Sequence, residues 1–251
     1  MENTNNTNHS GNGEHNNTPP HQPIFNLPTV VLWLVGAIIL IHLVVNYLLS
    51  PQNQHSIRVL FGFHSAIFSL AIENVFSDHT ALYYIWSPIM HAFLHADWTH
   101  VLMNVGFMVA FGAPLAMRLG SMRFLILFAL SAIGGAMLFW LMNTQTPMFL
   151  IGASGAISGF MGAASRFAFQ PNIGEDGIIK RGLNVKGRSL TLAQCLKDRK
   201  FINFFAIWMV INLVFGTVLS SVLSDSGNIA WEAHIGGFLT GIFTFSFLDR
   251  R

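Results

Sequence analysis

The sequence predicts an all-α integral membrane protein, a bundle of six transmembrane helices with a partly membrane-embedded first loop. Three observations carry this. Of the 251 residues, 52% are hydrophobic and only 10% are Asp, Glu, Lys or Arg, against about 25% charged in an ordinary soluble domain. Charges are missing from stretches long enough to hold bilayer-crossing helices. The Lys and Arg residues then fall almost wholly on one side of the alternating loops. A soluble enzyme is excluded, because so few charges cannot coat its surface. The apolar content also excludes disorder over most of the chain. Cys195 is the only cysteine, so there is no internal disulfide and no cysteine-rich metal site. No basic patch interleaved with aromatics points to nucleic acid.

Residues 1–27, rich in Asn, Thr, Gly and Pro, bury too little apolar surface to offset their ordering entropy. They read as a disordered cytoplasmic tail, and residues 28–251 as the membrane domain. His9, His15 and His21 are spaced too loosely for a metal tract and read as solvated. No Lys or Arg precedes the first apolar run, which disfavours a secretory signal peptide.

Between Glu14 and Arg58 there is no Asp, Glu, Lys or Arg, and residues 28–49 form the first span. Residues 98–117 hold the second. From 124 to 165 the chain is again free of these charges. A polar break at 143–147 divides that run into a third span, 124–142, and a shorter fourth, 154–169. The fifth is 201–224 and the sixth 233–248. Two further apolar pieces, 59–72 and 79–96, are too short or too interrupted to cross. They fit interfacial or re-entrant segments of the first loop.

Six spans put both termini on one side, together with the loops holding twelve of the thirteen Lys and Arg residues; the other side has only Arg58. Basic residues favour the cytoplasmic face, so both termini are expected there. The expected setting is a bacterial inner membrane.

Polar side chains at membrane depth are functional candidates by default. Three clusters lie at helix starts on the non-cytoplasmic side. They are His91, His95, His100 and Asn104 at span two; Gly152, Ala153, Ser154 and Gly155 at span four; and His234 with Gly237 and Gly241 at span six. Span four has only about 24 Å of helix against roughly 30 Å of hydrocarbon, so Ser154 can begin below the surface.

On a helical wheel Ser154, Ser158 and Ser165 share one face, with Gly162 beside it, and His234, Gly237 and Gly241 share another. Small-residue faces let membrane helices approach closely. If these two meet, Ser154 and His234 come level, which is how a base activates a serine hydroxyl. Glu232 lies about 200° round the helix from His234, so a Ser–His dyad is expected rather than a triad. Asn104, His100 and the backbone N–H of Ser154 can stabilise a developing oxyanion. His91 and His95 read as structural rather than as metal ligands, and His42 as a structural polar group in span one.

These residues resemble the rhomboid family of intramembrane serine proteases. The match lies in His95-Ala-Asp-Trp-Thr-His100-Val-Leu-Met-Asn104, in Gly152-Ala-Ser154-Gly155, and in Ala233-His234-Ile-Gly-Gly237-Phe-Leu-Thr-Gly241. The resemblance covers residues from about 28 to 251. It implies Ser154 as nucleophile and His234 as general base. His100, Asn104 and the Ser154 backbone form the implied oxyanion hole, with Gly152 giving room near the scissile carbonyl. His95, Gly155, Gly237 and Gly241 support these residues. The implied substrates are single-pass transmembrane proteins in the lipid bilayer, cut near the outer face after a small residue. No metal or cofactor is implied, and nothing is implied about oligomeric state.

Three departures stand out. Ser87 follows Trp86 where an Arg is frequent, Ala116 stands where a Glu precedes Gly120, and Ser158 replaces an aromatic that stacks on the catalytic imidazole. None removes a group of the dyad. A transporter is the non-enzyme rival, but the two halves show no internal repeat. A catalytically inactive rhomboid-like membrane binding protein is the nearest alternative.

The charge asymmetry generates a topological prediction. Residues 170–200 should be cleaved by protease added to inside-out vesicles and protected in right-side-out ones; the opposite pattern would invert the orientation.

Overall fold

The computed structural model describes residues 27–74, 82–144, 148–173, 184–214, 216 and 230–249. The Asn-rich tail, His79, Lys180, Arg181, Arg250, Arg251 and the second half of the fifth expected span lie outside these residues.

The described chain is mainly helical. Three helical stretches are long and apolar enough to cross a membrane: Thr29–Leu48, Trp98–Leu119 and Ser121–Met142. The first is α1, Thr29–Leu43, which continues as a π-helical turn over Val44–Leu48. There the Asn46 amide donates to the carbonyl of His42, four residues back, at 2.9 Å. Such insertions into the backbone ladder accompany wide turns.

The loop that follows is structured throughout its described part. α2 spans Pro51–Phe61, with Ser50 as its N-cap and Pro51 at its first position, where a missing N–H costs nothing. β1 (Phe63–His64) pairs antiparallel with β2 (Phe149–Leu150), so the first loop is hydrogen-bonded to the segment just before Ser154. α3 (Ser65–Asn74), α4 (Leu82–Ile85) and α5 (Ser87–Met90) complete the loop, which ends in a 3₁₀ turn over His91–Phe93. The apolar piece 59–72 and the described part of 79–96, residues 82–96, are therefore short helices and turns around the β1 strand. The Trp98 indole donates to the Tyr47 hydroxyl at 2.8 Å, and Arg58 donates to Asn46 at 2.9 Å.

The second long stretch is α6 (Trp98–Phe107), a π turn over Met108–Gly112, and α7 (Ala113–Leu119). Pro114 explains the wide turn, because its ring would clash with the carbonyl of an ideal preceding turn. Gly120, at φ +77°, ends α7. This left-handed conformation suits glycine. α8 follows at Ser121–Met142, three residues earlier than the charge-free run suggests.

α9 covers Ser154–Ala168, α10 Leu192–Cys195, α11 Arg199–Leu213 and α12 Trp231–Leu248. The 15 residues of α9 give about 22 Å of helix. Nearly all of α9 is buried between α8, α12 and the π turn of the second stretch.

Glycines set how closely α8, α9 and α12 pack. A Cβ on Gly237 would strike the carbonyl of Gly155, and one on Gly241 the carbonyl of Gly159. A Cβ on Gly162 would strike the carbonyl of Phe238, and one on Gly135 would lie 2.7 Å from the carbonyl of Ala233. The contact face of α9 is thus Gly155, Gly159 and Gly162, whereas the helical wheel centred it on Ser154, Ser158 and Ser165, with only Gly162 beside them. The physical reason is the axial distance: backbone meets backbone, and a serine Cβ at those positions would hold the helices apart. Ser165 turns its hydroxyl back to the Gly162 carbonyl at 2.7 Å.

Outside this core, Trp33, Leu48, Leu102, Met122, Ile207 and Phe247 are exposed, as a lipid-facing surface requires. At the end of the bundle away from Ser154, two arginines fasten the helices. Arg118 donates to both carboxylate oxygens of Asp249 at 2.8 and 2.7 Å, and to the carbonyls of Val185 and Gly187. It also lies over the Phe167 ring. Arg166 donates to the carbonyls of Leu190 and Ile242 and to the Ser246 hydroxyl. Residues 184–190 of the basic loop are therefore bonded to the ends of α7, α9 and α12.

The Arg118–Asp249 pair is almost fully buried, so removing one partner strands a charge. Asp249→Ala should lower stability by about 3 kcal/mol. Arg118→Met combined with Asp249→Leu should lose less than Asp249→Ala alone. Thermal unfolding in detergent measures both.

Candidate active site

Four elements converge where α9 and α12 begin. The Ser154 Oγ lies 2.8 Å from His234 Nε2. Ser154 is the first residue of α9 and His234 the fourth of α12, and the glycine contacts below them hold the two helix starts level. The other imidazole nitrogen, His234 Nδ1, lies 2.7 Å from Asn212 Oδ1 on α11.

α6 supplies the facing wall. Its N-cap, Asp97, accepts a hydrogen bond from the His100 backbone N–H at 2.8 Å, which fixes the register of the helix. The buried Asn104 donates its amide to the His100 carbonyl at 2.9 Å. The His100 ring meets the His95 ring edge-on, with centroids 4.9 Å apart. His100 also stands against Gly152, where a Cβ would sit 2.6 Å from the imidazole. Gly152 has φ +114°, a region that side chains rarely tolerate.

The segment before Ser154 is held from both flanks. The Gly152 N–H donates to the His91 carbonyl at 2.9 Å. The Ala153 N–H donates to His95 Nε2 at 3.4 Å. His91 and His95 are buried. Burial pulls the His91 imidazole down to about 4. Burial, with His100 alongside, pulls His95 down to about 3. Both rings are therefore neutral at neutral pH; the His95 ring accepts from the loop backbone, while the His91 ring packs against Phe63.

The remaining sequence candidates are placed as follows. Gly155 and Gly237 are in mutual backbone contact below the Ser154–His234 pair, and Gly241 meets Gly159 one turn further along. Glu232 points away from His234, and its carboxylate accepts from the Asn143 amide at 3.3 Å. His42 is buried in α1, with its ring edge-on to Trp98. Ser87 is buried, with its hydroxyl donating to the Tyr84 carbonyl at 2.7 Å.

Sequence reasoning missed Asn212. Its signal was present, since it is an amide in the otherwise apolar run Phe204–Leu213. The signal is weak because the usual third group of such a site is an acid, and an uncharged amide within a span reads as a packing residue.

This arrangement holds a hydroxyl, a base hydrogen-bonded to it, and amide and imidazole donors on a facing helix. The first N–H groups of α9 have no intrahelical partners, and with the helix dipole they favour an anion beside Ser154. Such a set can carry out nucleophilic acyl transfer.

A family model for the Rhomboid domain matches residues 83–251. The chain is 23% identical over 221 residues to "Rhomboid-like protease 3" of Toxoplasma gondii, a match covering 88% of this chain and 70% of that protein. It is 32% identical over 78 residues to "RHOMBOID-like protein 5" of Arabidopsis thaliana, covering 31% of this chain and 25% of that one.

The glycine geometry generates a paired prediction. Gly152→Ala forces a side chain into a left-handed backbone against His100 and should cost on the order of 1–3 kcal/mol. Gly106, inside α6 with open space at its Cβ, should behave oppositely, with Gly106→Ala gaining roughly 0.5–1 kcal/mol. Thermal unfolding of the two variants reads the difference in sign.

Proposed function

Since the chain belongs to the rhomboid family, we propose that it is an intramembrane serine endopeptidase that hydrolyses transmembrane substrates near the outer membrane face through a Ser154–His234 dyad. The observation that carries this reading is the 2.8 Å approach of Ser154 Oγ to His234 Nε2. The proposed topology has six spans and cytoplasmic termini. α9, α11 and α12 provide the three spans beyond the long apolar helices.

In this reading His234 takes the Ser154 proton as the hydroxyl attacks the scissile carbonyl. The carbonyl oxygen becomes an oxyanion, stabilised by the Asn104 amide, the His100 ring N–H and the Ser154 backbone N–H. His234 then passes the proton to the leaving amine, and an acyl-enzyme forms on Ser154. Water, deprotonated by His234, hydrolyses that ester and restores the serine. The chemistry uses side chains and backbone alone.

The position of the dyad supports this substrate class. Both groups open helices that are buried among other helices, at the end remote from the basic loop. A single-pass transmembrane segment entering from the bilayer presents its outer end at that level. Small residues at the scissile bond fit the tight space around Gly152 and His100.

Purified protein incubated with a generic single-pass substrate tests the reading. Ser154→Ala and His234→Ala should each abolish cleavage, and the double variant should be no worse, because the two act as one unit. Asn104→Ala should lower turnover by roughly 10²–10³. A serine-directed fluorophosphonate should label the wild type and not Ser154→Ala. A folded wild type that neither cleaves nor labels would instead favour an inactive rhomboid-like binding protein.

A further inference from the structure

We infer that Asn212 is a positioning residue that fixes the tautomer of His234, so that the lone pair of Nε2, and not its proton, faces Ser154. The inference rests on the proposed hydrolase reading for its consequence, but its geometry stands apart from it.

The Asn212 amide has one orientation. Its Nδ2 donates to the Trp208 carbonyl at 2.8 Å, one helical turn back on α11. Flipping the amide would set Oδ1 against that carbonyl, acceptor against acceptor. Oδ1 therefore faces His234 Nδ1 at 2.7 Å and can only accept. So Nδ1 must carry the proton, and Nε2 of the neutral ring is left as an acceptor toward the Ser154 hydroxyl at 2.8 Å. Free neutral imidazole in water favours the opposite tautomer, with the proton on Nε2. That tautomer would aim a donor at Ser154 and could not take its proton. A partner on Nδ1 is needed to hold the reactive form.

The amide is rigidly placed. Asn212 is buried. Trp208, which anchors its Nδ2, stacks on Phe238 of α12 with centroids 4.2 Å apart. The same two helices that carry Asn212 and His234 are thus clamped one turn from the hydrogen bond. This addresses the position where the family resemblance leads one to expect an aromatic under the imidazole and where Ser158 stands instead. The ring is oriented from its Nδ1 edge rather than its face.

The hydrogen bond should also strengthen as the reaction proceeds. When His234 accepts the serine proton, Nδ1–H becomes part of a cation, and its bond to Oδ1 becomes charge-assisted. An interaction stronger in the transition state than in the ground state raises turnover rather than binding.

Asn212→Leu and Asn212→Asp test this. Asn212→Leu keeps the shape and removes the acceptor. It should lower kcat and the rate of fluorophosphonate labelling by about 10- to 100-fold, with KM little changed, because Asn212 does not touch substrate. Asn212→Asp keeps an acceptor and adds a charge that favours the imidazolium. It should retain labelling and move the acid limb of the kcat profile to higher pH, by on the order of 1–3 units. Among the described residues the titratable group facing His234 is His100 from α6; Glu232, on its own helix, turns away to Asn143, and neither variant alters them.

A merely structural Asn212 would lower the melting temperature of Asn212→Leu and leave the profile of Asn212→Asp unmoved; that outcome overturns the inference. The ¹⁵N spectrum of histidine-labelled protein, with His234 identified by its loss in His234→Ala, decides the tautomer without any turnover. A protonated Nδ1 in wild type that gives way to a protonated Nε2 in Asn212→Leu supports the inference. A protonated Nε2 in wild type overturns it. Absence of labelling in folded wild type overturns the hydrolase reading instead, and the spectrum still decides the role of Asn212.

Discussion

The arrangement depends on the backbone-to-backbone approach of α9 and α12. Gly155, Gly159 and Gly162 on one helix face Gly237, Gly241 and the Phe238 backbone on the other. In lipid, apolar side chains gain nothing by leaving one apolar surface for another, so close packing and dispersion decide which faces meet. Glycine maximises both at these positions. Once the two backbones touch, the height of each helix start is fixed relative to the other. The Ser154 and His234 side chains then meet at hydrogen-bonding distance.

That contact also explains why α9 can be short and still ordered. A helix of about 22 Å would leave polar backbone in hydrocarbon if lipid surrounded it. Here α8, α12 and the second apolar stretch enclose it, and the irregular segment before Ser154 is satisfied by protein. Gly152 finds the His91 carbonyl, Ala153 finds His95, and β2 pairs with β1. Non-helical backbone at membrane depth is tolerated only when buried in protein or lining water. The first loop therefore has a structural task, as it provides the partners that the entry to α9 requires.

Much of this could be read from the chain, for reasons that differ residue by residue. Charge gaps located the long apolar helices because hydrocarbon excludes charge over a fixed length. The juxtaposition of Ser154 with His234 was approachable because both open helices and both sit beside glycines. The contact face itself was misjudged. Wheel geometry groups Ser154, Ser158 and Ser165, with Gly162 beside them, but only a backbone distance can tell that even a Cβ is too large at that interface. The β1–β2 pairing was hidden, since two residues per strand carry no period. Asn212 was hidden for another reason. Its importance comes from a helix, α11, whose apolar run looks like any other span, and from a rotamer set by Trp208.

The two ends of the bundle handle polarity in opposite ways. At the end near the basic loop, formal charges are buried as a pair: Arg118 with Asp249, bonded further to carbonyls and to Ser189. Burying ions is costly unless they are paired and saturated, and here several acceptors surround one guanidinium. At the other end Ser154, His234 and Asn212 form a chain of neutral groups. A carboxylate in place of the Asn212 amide would need its own compensation in a buried membrane setting, whereas an amide is satisfied by one carbonyl and one ring N–H. On the proposed reading, charge arises within this chain of groups only during reaction, as an oxyanion beside the start of α9 and a cation on His234. The helix start, with its free N–H groups, is already oriented toward the first. The Asn212 oxygen is already oriented toward the second. A neutral resting chain with both partners in place keeps the ground state inexpensive to bury and reserves the electrostatic stabilisation for the step that requires it.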